Sequence, residues 1–262
     1  MSTQRQPGTA LVTGASSGIG YELAKLFAAD GWDLLLVARS RDDLEAVAAE
    51  LTTEYDVEAH VFPQDLATPD GPRELYEAVT DAGHEVDALV NNAGFGTFGS
   101  FLDADSDTDA DLIGLHVTAV TTLTKLFGRA MADRGHGYVL NTASIAGWAP
   151  APMSAVYSAA KHYERALSEA LAEELDEQGI TVTALCPGET DTGFFDRGNY
   201  EDSAAASAEM MSAAEVAAAG YEGLMNGERI VIPGWRNKLR VFLGRLLPRS
   251  LYVKSVEQSL TD

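Results

Sequence analysis

Tyr157 and Lys161 stand four residues apart in VYSAAKHYERAL, with only Ser158, Ala159 and Ala160 between them. On a helix, positions i and i+4 share a face. A phenol and an ammonium would then meet in one small volume that the small residues leave open. That pairing suits proton transfer. A free tyrosine titrates at about pH 10, too high for a base at neutral pH, and a neighbouring ammonium favours the phenolate. Ser144 lies 13 residues earlier, at the end of the apolar run GYVLNTAS, so a strand end and this helix face could converge on one pocket.

Such groups need a scaffold that brings a strand end against a helix face. Apolar, β-rich runs recur along the chain: TALVTG, WDLLLVA, EAHVFP, DALVNNAG, GYVLNTAS, GITVTALCPG and RIVIPG. Helical stretches separate the first of these, including GYELAKLFAADG, DDLEAVAAEL, GPRELYEAVTDAG and a long tract from about Asp107 to Asp133. Continuous apolar strands imply a sheet covered on both faces, and strand–helix repetition implies that it is parallel. The expected fold is α/β, a Rossmann-like doubly wound parallel sheet of about seven strands with helices on both faces. Residues 1–234 form the single dinucleotide-binding and catalytic domain in this reading, and 235–262 form a basic amphipathic tail. Ligands of such sheets bind at the carboxyl ends of the strands.

The first strand ends in TGASSGIG, residues 13–20. Gly14, Gly18 and Gly20, with Ser16, Ser17 and Ile19 among them, permit a tight turn, close approach of a pyrophosphate to backbone N–H groups and close packing of the following helix. The helix that follows offers its positive N-terminal end. The second strand ends Val37-Ala38-Arg39-Ser40. Ala38 stands where a carboxylate would select NAD, and the Arg39 guanidinium can grip a 2′-phosphate. NADP(H) is therefore the expected cofactor. The third strand ends in Gln64, Asp65 and Leu66, where Asp65 could accept from an adenine amino group; the fourth ends in Asn91, Asn92, Ala93 and Gly94; the sixth ends CPGETDT, from Cys186 to Thr192.

The chain has 262 residues, 40 acidic and 18 basic, for a net charge of −22. That disfavours nucleic-acid binding and suits a salt-rich cytosol, where screening suppresses self-repulsion. A single cysteine excludes an intrachain disulfide framework and a cysteine-based metal cluster. No apolar run approaches a membrane span, and the N-terminus lacks a signal-peptide layout. A cytoplasmic location is expected. Charge is uneven: from Arg229 to the end there are seven basic and two acidic residues, a net +5 against −27 before it. The tail mixes these charges with Leu, Val and Phe. Docking on the acidic body or a second subunit is favoured over contact with a membrane surface, because so many apolar positions need burial.

TGASSGIG, NNAG, Ser144, YSAAK and PGETDT, in this order and spacing, resemble the short-chain dehydrogenases/reductases, in the single-domain branch of about 250 residues. The resemblance covers residues 9 to about 195. It implies hydride transfer between the nicotinamide and a carbonyl or carbinol carbon. Tyr157 would be general acid in reduction and base in oxidation, and Ser144 would hold the substrate oxygen. Lys161 would tune Tyr157 and bond the nicotinamide ribose. Thr192 and the backbone near Thr190 would hold the carboxamide, with Pro187 and Gly188 also at the cofactor. His116, in LIGLHV, occupies the place where relatives bring an asparagine into the proton relay, so it joins the catalytic candidates. Homodimers or homotetramers are implied too. Phe95 to Phe98, Ile145 to Trp148, Met153 and the segment from Phe194 onward should face a small hydrophobic carbonyl or alcohol substrate, with a lid over Asp196 to Ser212. The alternatives are a non-catalytic NADP-binding sensor of the same fold and a nucleotide-sugar dehydratase or epimerase. The latter would need a larger substrate domain than the sequence after Thr192 provides.

Overall fold

The computed structural model describes residues 7–192 and 210–261. Strands β1 (Thr9–Thr13), β2 (Asp33–Ala38), β3 (Ala59–Pro63), β4 (Ala88–Asn91), β5 (Gly137–Thr142), β6 (Ile180–Leu185) and β9 (Ile230–Val231) form one sheet in the order β3-β2-β1-β4-β5-β6-β9. All its pairings are parallel, with Leu11 of β1 opposite Leu35 on one side and Leu89 on the other. A second, two-stranded sheet pairs β7 (Thr190–Asp191) with β8 (Met211–Ser212).

The helices are α1 (Gly18–Ala29), α2 (Arg41–Tyr55), α3 (Gly71–Asp81), α4 (Ser106–Ile113), α5 (Val120–Arg134), α6 (Ala155–Glu174), α7 (Ala213–Met225), α8 (Trp235–Leu246) and α9 (Arg249–Thr261). Successive strand side chains alternate between two cores. Ala10, Val12, Leu34 and Leu36 pack with Phe27 of α1 and Tyr221 of α7, whereas Leu11, Leu35 and Leu89 pack with Leu75, Leu123 and Phe127. Each face is covered, so an alternating polar pattern would have left polar groups in a dry layer. Fully burying each leucine contributes roughly 1.5–3 kcal/mol.

Local side-chain signals start several of the helices. Ser40 and Asp105 cap α2 and α4 by accepting from the N–H groups of Asp43 and Thr108, and Ser212 and Glu215 form a reciprocal capping box on α7. The tract expected as one helix from about Asp107 to Asp133 is interrupted by a π-helical segment, Gly114–Ala119, between α4 and α5. Insertions of this kind re-aim side chains and concentrate at functional sites. This one carries His116.

The tail packs back on the body. Val241 of α8 is buried, Arg240 pairs with Glu189 at 2.8 Å, and the Arg245 guanidinium lies 4.8 Å from the Trp148 ring. Another face of α8 stays in solvent, where Trp235, Leu239, Phe242 and Leu246 form an exposed apolar stripe. No helix among the described residues is long and apolar enough to cross a membrane.

Candidate active site

Strand order reverses between β1 and β4, and a cleft opens there at the carboxyl ends of the strands, the position expected for a ligand of a doubly wound sheet. Its walls are Gly14, Ser16, Ser17, Gly18, Ile19, Asn92, Ala93, Gly94, Ser144, Tyr157, Lys161, Pro187, Gly188, Thr190 and Thr192, with His116 and Phe95 at the inner side, around about 910 Å³. Gly14, Ser16, Ala93, Gly94 and Phe95 also line a second cavity, which runs to Ala38, Arg39, Asp65 and Leu66. All the cofactor candidates except Gly20 therefore line one continuous groove, from the end of β2 to the face of α6.

Gly20 acts from behind. A Cβ there would sit 2.3 Å from the Gly14 carbonyl oxygen, so its smallness lets α1 press against the turn. Gly18 has φ +58°, and a Cβ on it would meet Thr192 at 3.0 Å. Ser17 precedes α1 without a side-chain cap, leaving the first-turn N–H groups to face the groove. These features fit a pyrophosphate. Arg39 is accompanied at the far end by Asp43, Asp65 and Asp111, so that end is not uniformly basic.

Thr13 and Asn92 fasten the switch point. The Thr13 hydroxyl accepts from the N–H groups of Asn92 and Ala93 at 2.9 and 3.0 Å, and the Asn92 side-chain amide donates to the Thr13 carbonyl at 3.1 Å. Deeper, Asn91 donates to Asn141 at 2.8 Å and Asn141 to Ser168 at 2.9 Å, tying β4, β5 and α6 together through buried amides.

Lys161 is buried. Its ammonium donates to the Thr142 carbonyl and to the Glu164 carboxylate, both at 2.7 Å, and lies 5.6 Å from the Tyr157 ring centre. The structure thus places the ammonium beside the phenol. The Ser144 hydroxyl accepts from the Ala146 N–H at 3.0 Å and makes only a long contact, 3.4 Å, to the Pro187 carbonyl. Its proton can swing to a substrate oxygen at little cost.

His116 is fully buried. Its Nδ1 is 2.8 Å from Glu164 Oε1 and its Nε2 is 2.8 Å from the Phe95 carbonyl, with the Phe95 N–H also 3.3 Å from Nε2. Its ring stands edge-on to Tyr157, centres 5.8 Å apart. Both ring nitrogens are engaged by protein atoms, so a relay water would have to compete with one of them. The inward turn of His116 needs Gly94, where a Cβ would meet the imidazole at 2.6 Å.

Glu164 escaped the sequence reading. Burial alone would raise its carboxyl, but the charges and hydrogen bonds of Lys161 and His116 outweigh that and hold it below the ordinary carboxylate range. Cys186 lies nearby, its thiol pushed up to about 12, chiefly by burial.

Ser144, Tyr157 and Gly188 also border a further cavity of about 790 Å³. Ile145 and Ala146, expected to face substrate, line it with Ala149, Ala151 and Ser154. The remaining wall is Glu189, after β6, and five residues of the tail: Arg240, Val241, Tyr252, Val256 and Leu260. Phe95 lies instead on the first groove, beside Gly94 and His116. Met153 takes a left-handed backbone, φ +65°. The Phe194 segment and most of the expected lid lie outside the described residues.

A family model for short chain dehydrogenase matches residues 8–202. YmfI, an uncharacterised oxidoreductase of Bacillus subtilis, is 34% identical over 190 residues, covering 72% of this chain and 77% of its own. A very-long-chain 3-oxoacyl-CoA reductase of Anas platyrhynchos is 36% identical over 185 residues; the match covers 68% of this chain and 58% of that protein. Among solved structures, a short-chain dehydrogenase from Sphingobium yanoikuyae in complex with NADPH superposes with a TM-score of 0.82 and 32% identity, over 91% of this chain and 93% of that one.

Proposed function

The chain belongs to the short-chain dehydrogenases, nicotinamide-dependent oxidoreductases, and on that premise we propose that it interconverts a hydrophobic ketone or aldehyde with its alcohol, using NADP(H). One observation carries this reading. Ser144 and Tyr157 border both the groove that fits a dinucleotide and the cavity lined by Ile145, Ala149, Ala151, Val241 and Val256, with the Glu189–Arg240 ion pair also on its wall. A carbonyl entering from that cavity would meet the two hydroxyls at the seam.

The bound nicotinamide would supply or take the hydride. The chain supplies the rest. In reduction, Tyr157 gives its proton to the substrate oxygen as negative charge gathers there, while Ser144 donates a second hydrogen bond that holds the oxygen in place. Lys161 has three N–H donors and spends two on Thr142 and Glu164. The third remains for the ribose side of the groove, and its charge favours the phenolate left behind. Arg39 with Ala38 supports the choice of NADP(H). The apolar cavity supports a bulky, water-poor substrate. The exposed stripe on α8 supports a covering neighbour, either a second chain in a homodimer or homotetramer or a membrane surface.

The test pairs binding with turnover. NADPH and NADH affinities are measured at low and molar KCl, then NADPH consumption is followed against hydrophobic ketones. Tyr157→Phe should lose at least about 100-fold in kcat while binding NADPH as before. Turnover surviving in that variant removes the assigned mechanism, and NADPH binding without turnover of any carbonyl favours a sensor.

A further inference from the structure

Glu164 has no part in the mechanism above, yet it is a carboxylate with 3% of its side chain exposed, directly behind the reacting groups. A buried charge of this kind survives only when well paired. Here one oxygen takes Lys161 at 2.7 Å and the other takes His116 at 2.8 Å. Both partners flank the same phenol: the ammonium lies 5.6 Å from the Tyr157 ring centre, and the imidazole ring centre 5.8 Å. Lys161 and Glu164 are three residues apart on α6, whereas His116 arrives from the π-helical segment, through space left by Gly94.

We propose that Glu164 is a positioning residue for the proton donor: its carboxylate clamps Lys161 and His116 on either side of Tyr157 and sets the net charge behind the phenol. This rests on the assignment of Tyr157 as that donor. Two further charges line a cavity with Tyr157, Glu189 after β6 and Arg240 on α8, and they offset each other in an ion pair at 2.8 Å. From β5 come only neutral partners, the Thr142 carbonyl and Asn141. From the end of β6 comes Cys186, a thiol that stays protonated because it is buried. Arg165, next on α6, is turned away to the Gly147 carbonyl and the Trp148 ring. From the π-helical segment comes His116 itself.

The physical consequence has a sign. A negative charge beside a phenol disfavours the phenolate, and a positive one favours it. Glu164 therefore offsets part of the field of Lys161 while fixing where that field originates. Glu164→Gln keeps the shape and can still accept from Lys161, but removes the negative charge. His116→Asn removes one partner of the carboxylate and leaves its charge less compensated.

The experiment needs no substrate. The full-length protein is labelled with tyrosine carrying carbon-13 at the ring carbon that bears the hydroxyl, and the Tyr157 resonance is assigned by its disappearance in Tyr157→Phe. Its titration midpoint should fall by about one pH unit in Glu164→Gln and rise in His116→Asn. Melting temperatures establish that each variant is folded. A midpoint unmoved in folded Glu164→Gln overturns the proposal, as does a fall in His116→Asn. If Glu164→Gln fails to fold, the direction in His116→Asn decides. The turnover assay and the titration keep the two ideas apart: Tyr157→Phe remaining active removes the mechanism, whereas unmoved midpoints remove only the role of Glu164.

Discussion

The two cavities that meet at Ser144 and Tyr157 are built in different ways. The cofactor groove is made from strand ends and turns, and much of its surface is backbone: the glycine turn after β1, the Asn92–Gly94 segment after β4 and the Pro187–Gly188 exit from β6. The second cavity is a space between side chains, Ile145 and Ala149 on one side and Val241, Tyr252 and Val256 from a distant part of the sequence on the other. A backbone-built site tolerates few substitutions, because a new Cβ has nowhere to go, as at Gly20. A side-chain-built site can change its specificity without touching the fold.

That contrast can be tested at each end. Arg39→Asp places a carboxylate at the adenosine end of the groove, and NADPH affinity should fall roughly 10- to 100-fold, the loss of one or two charge-assisted hydrogen bonds. NADH affinity should hold or improve. Equal weakening of both cofactors would mean that Arg39 shapes the groove rather than reading a phosphate. In the other cavity, Val256→Asp should raise KM for a bulky hydrophobic ketone about 10-fold, because a charge desolvates poorly in an apolar wall. NADPH affinity should not change. If cofactor binding moves instead, the tail supports the groove and the division between the two regions fails. The smallest effect belongs to Cys186. Its thiol, pushed up to about 12 by burial, carries too little thiolate to react, so iodoacetamide at pH 8 should leave activity intact until the protein unfolds. Rapid labelling of the native protein would mean that the lower part of the site opens to solvent.

The groove was legible in the sequence because its determinants are local. A glycine spacing dictates a turn, and an apolar run dictates a strand buried on both faces. The Tyr157–Lys161 spacing fixes two side chains on one helical face, whatever lies around them. The glycine spacing also implied close packing of the following helix, and Gly20 is where α1 presses on the Gly14 carbonyl. The π-helical segment was not legible. GLHVTA has nothing that forbids an ordinary helix, and the extra residue in its turn is stabilised by the contacts His116 makes with Phe95 and Glu164.

By itself, the sequence determined the parallel sheet, the strand-end edge at which its cleft opens and the pair Tyr157 and Lys161, because apolar runs, glycine turns and helical spacing operate over a few residues. Tertiary structure alone decided that Glu164 belongs to the site. A glutamate on an amphipathic helix belongs in water by default, and only the packing of α6 against the π-helical segment and β5 turned this one inward, between two partners 48 and 3 residues away. It also decided where the basic tail goes. Amphipathicity showed that the tail must bury one face, but the apolar wall that receives it exists only once β5, α6 and the exit from β6 have been brought together.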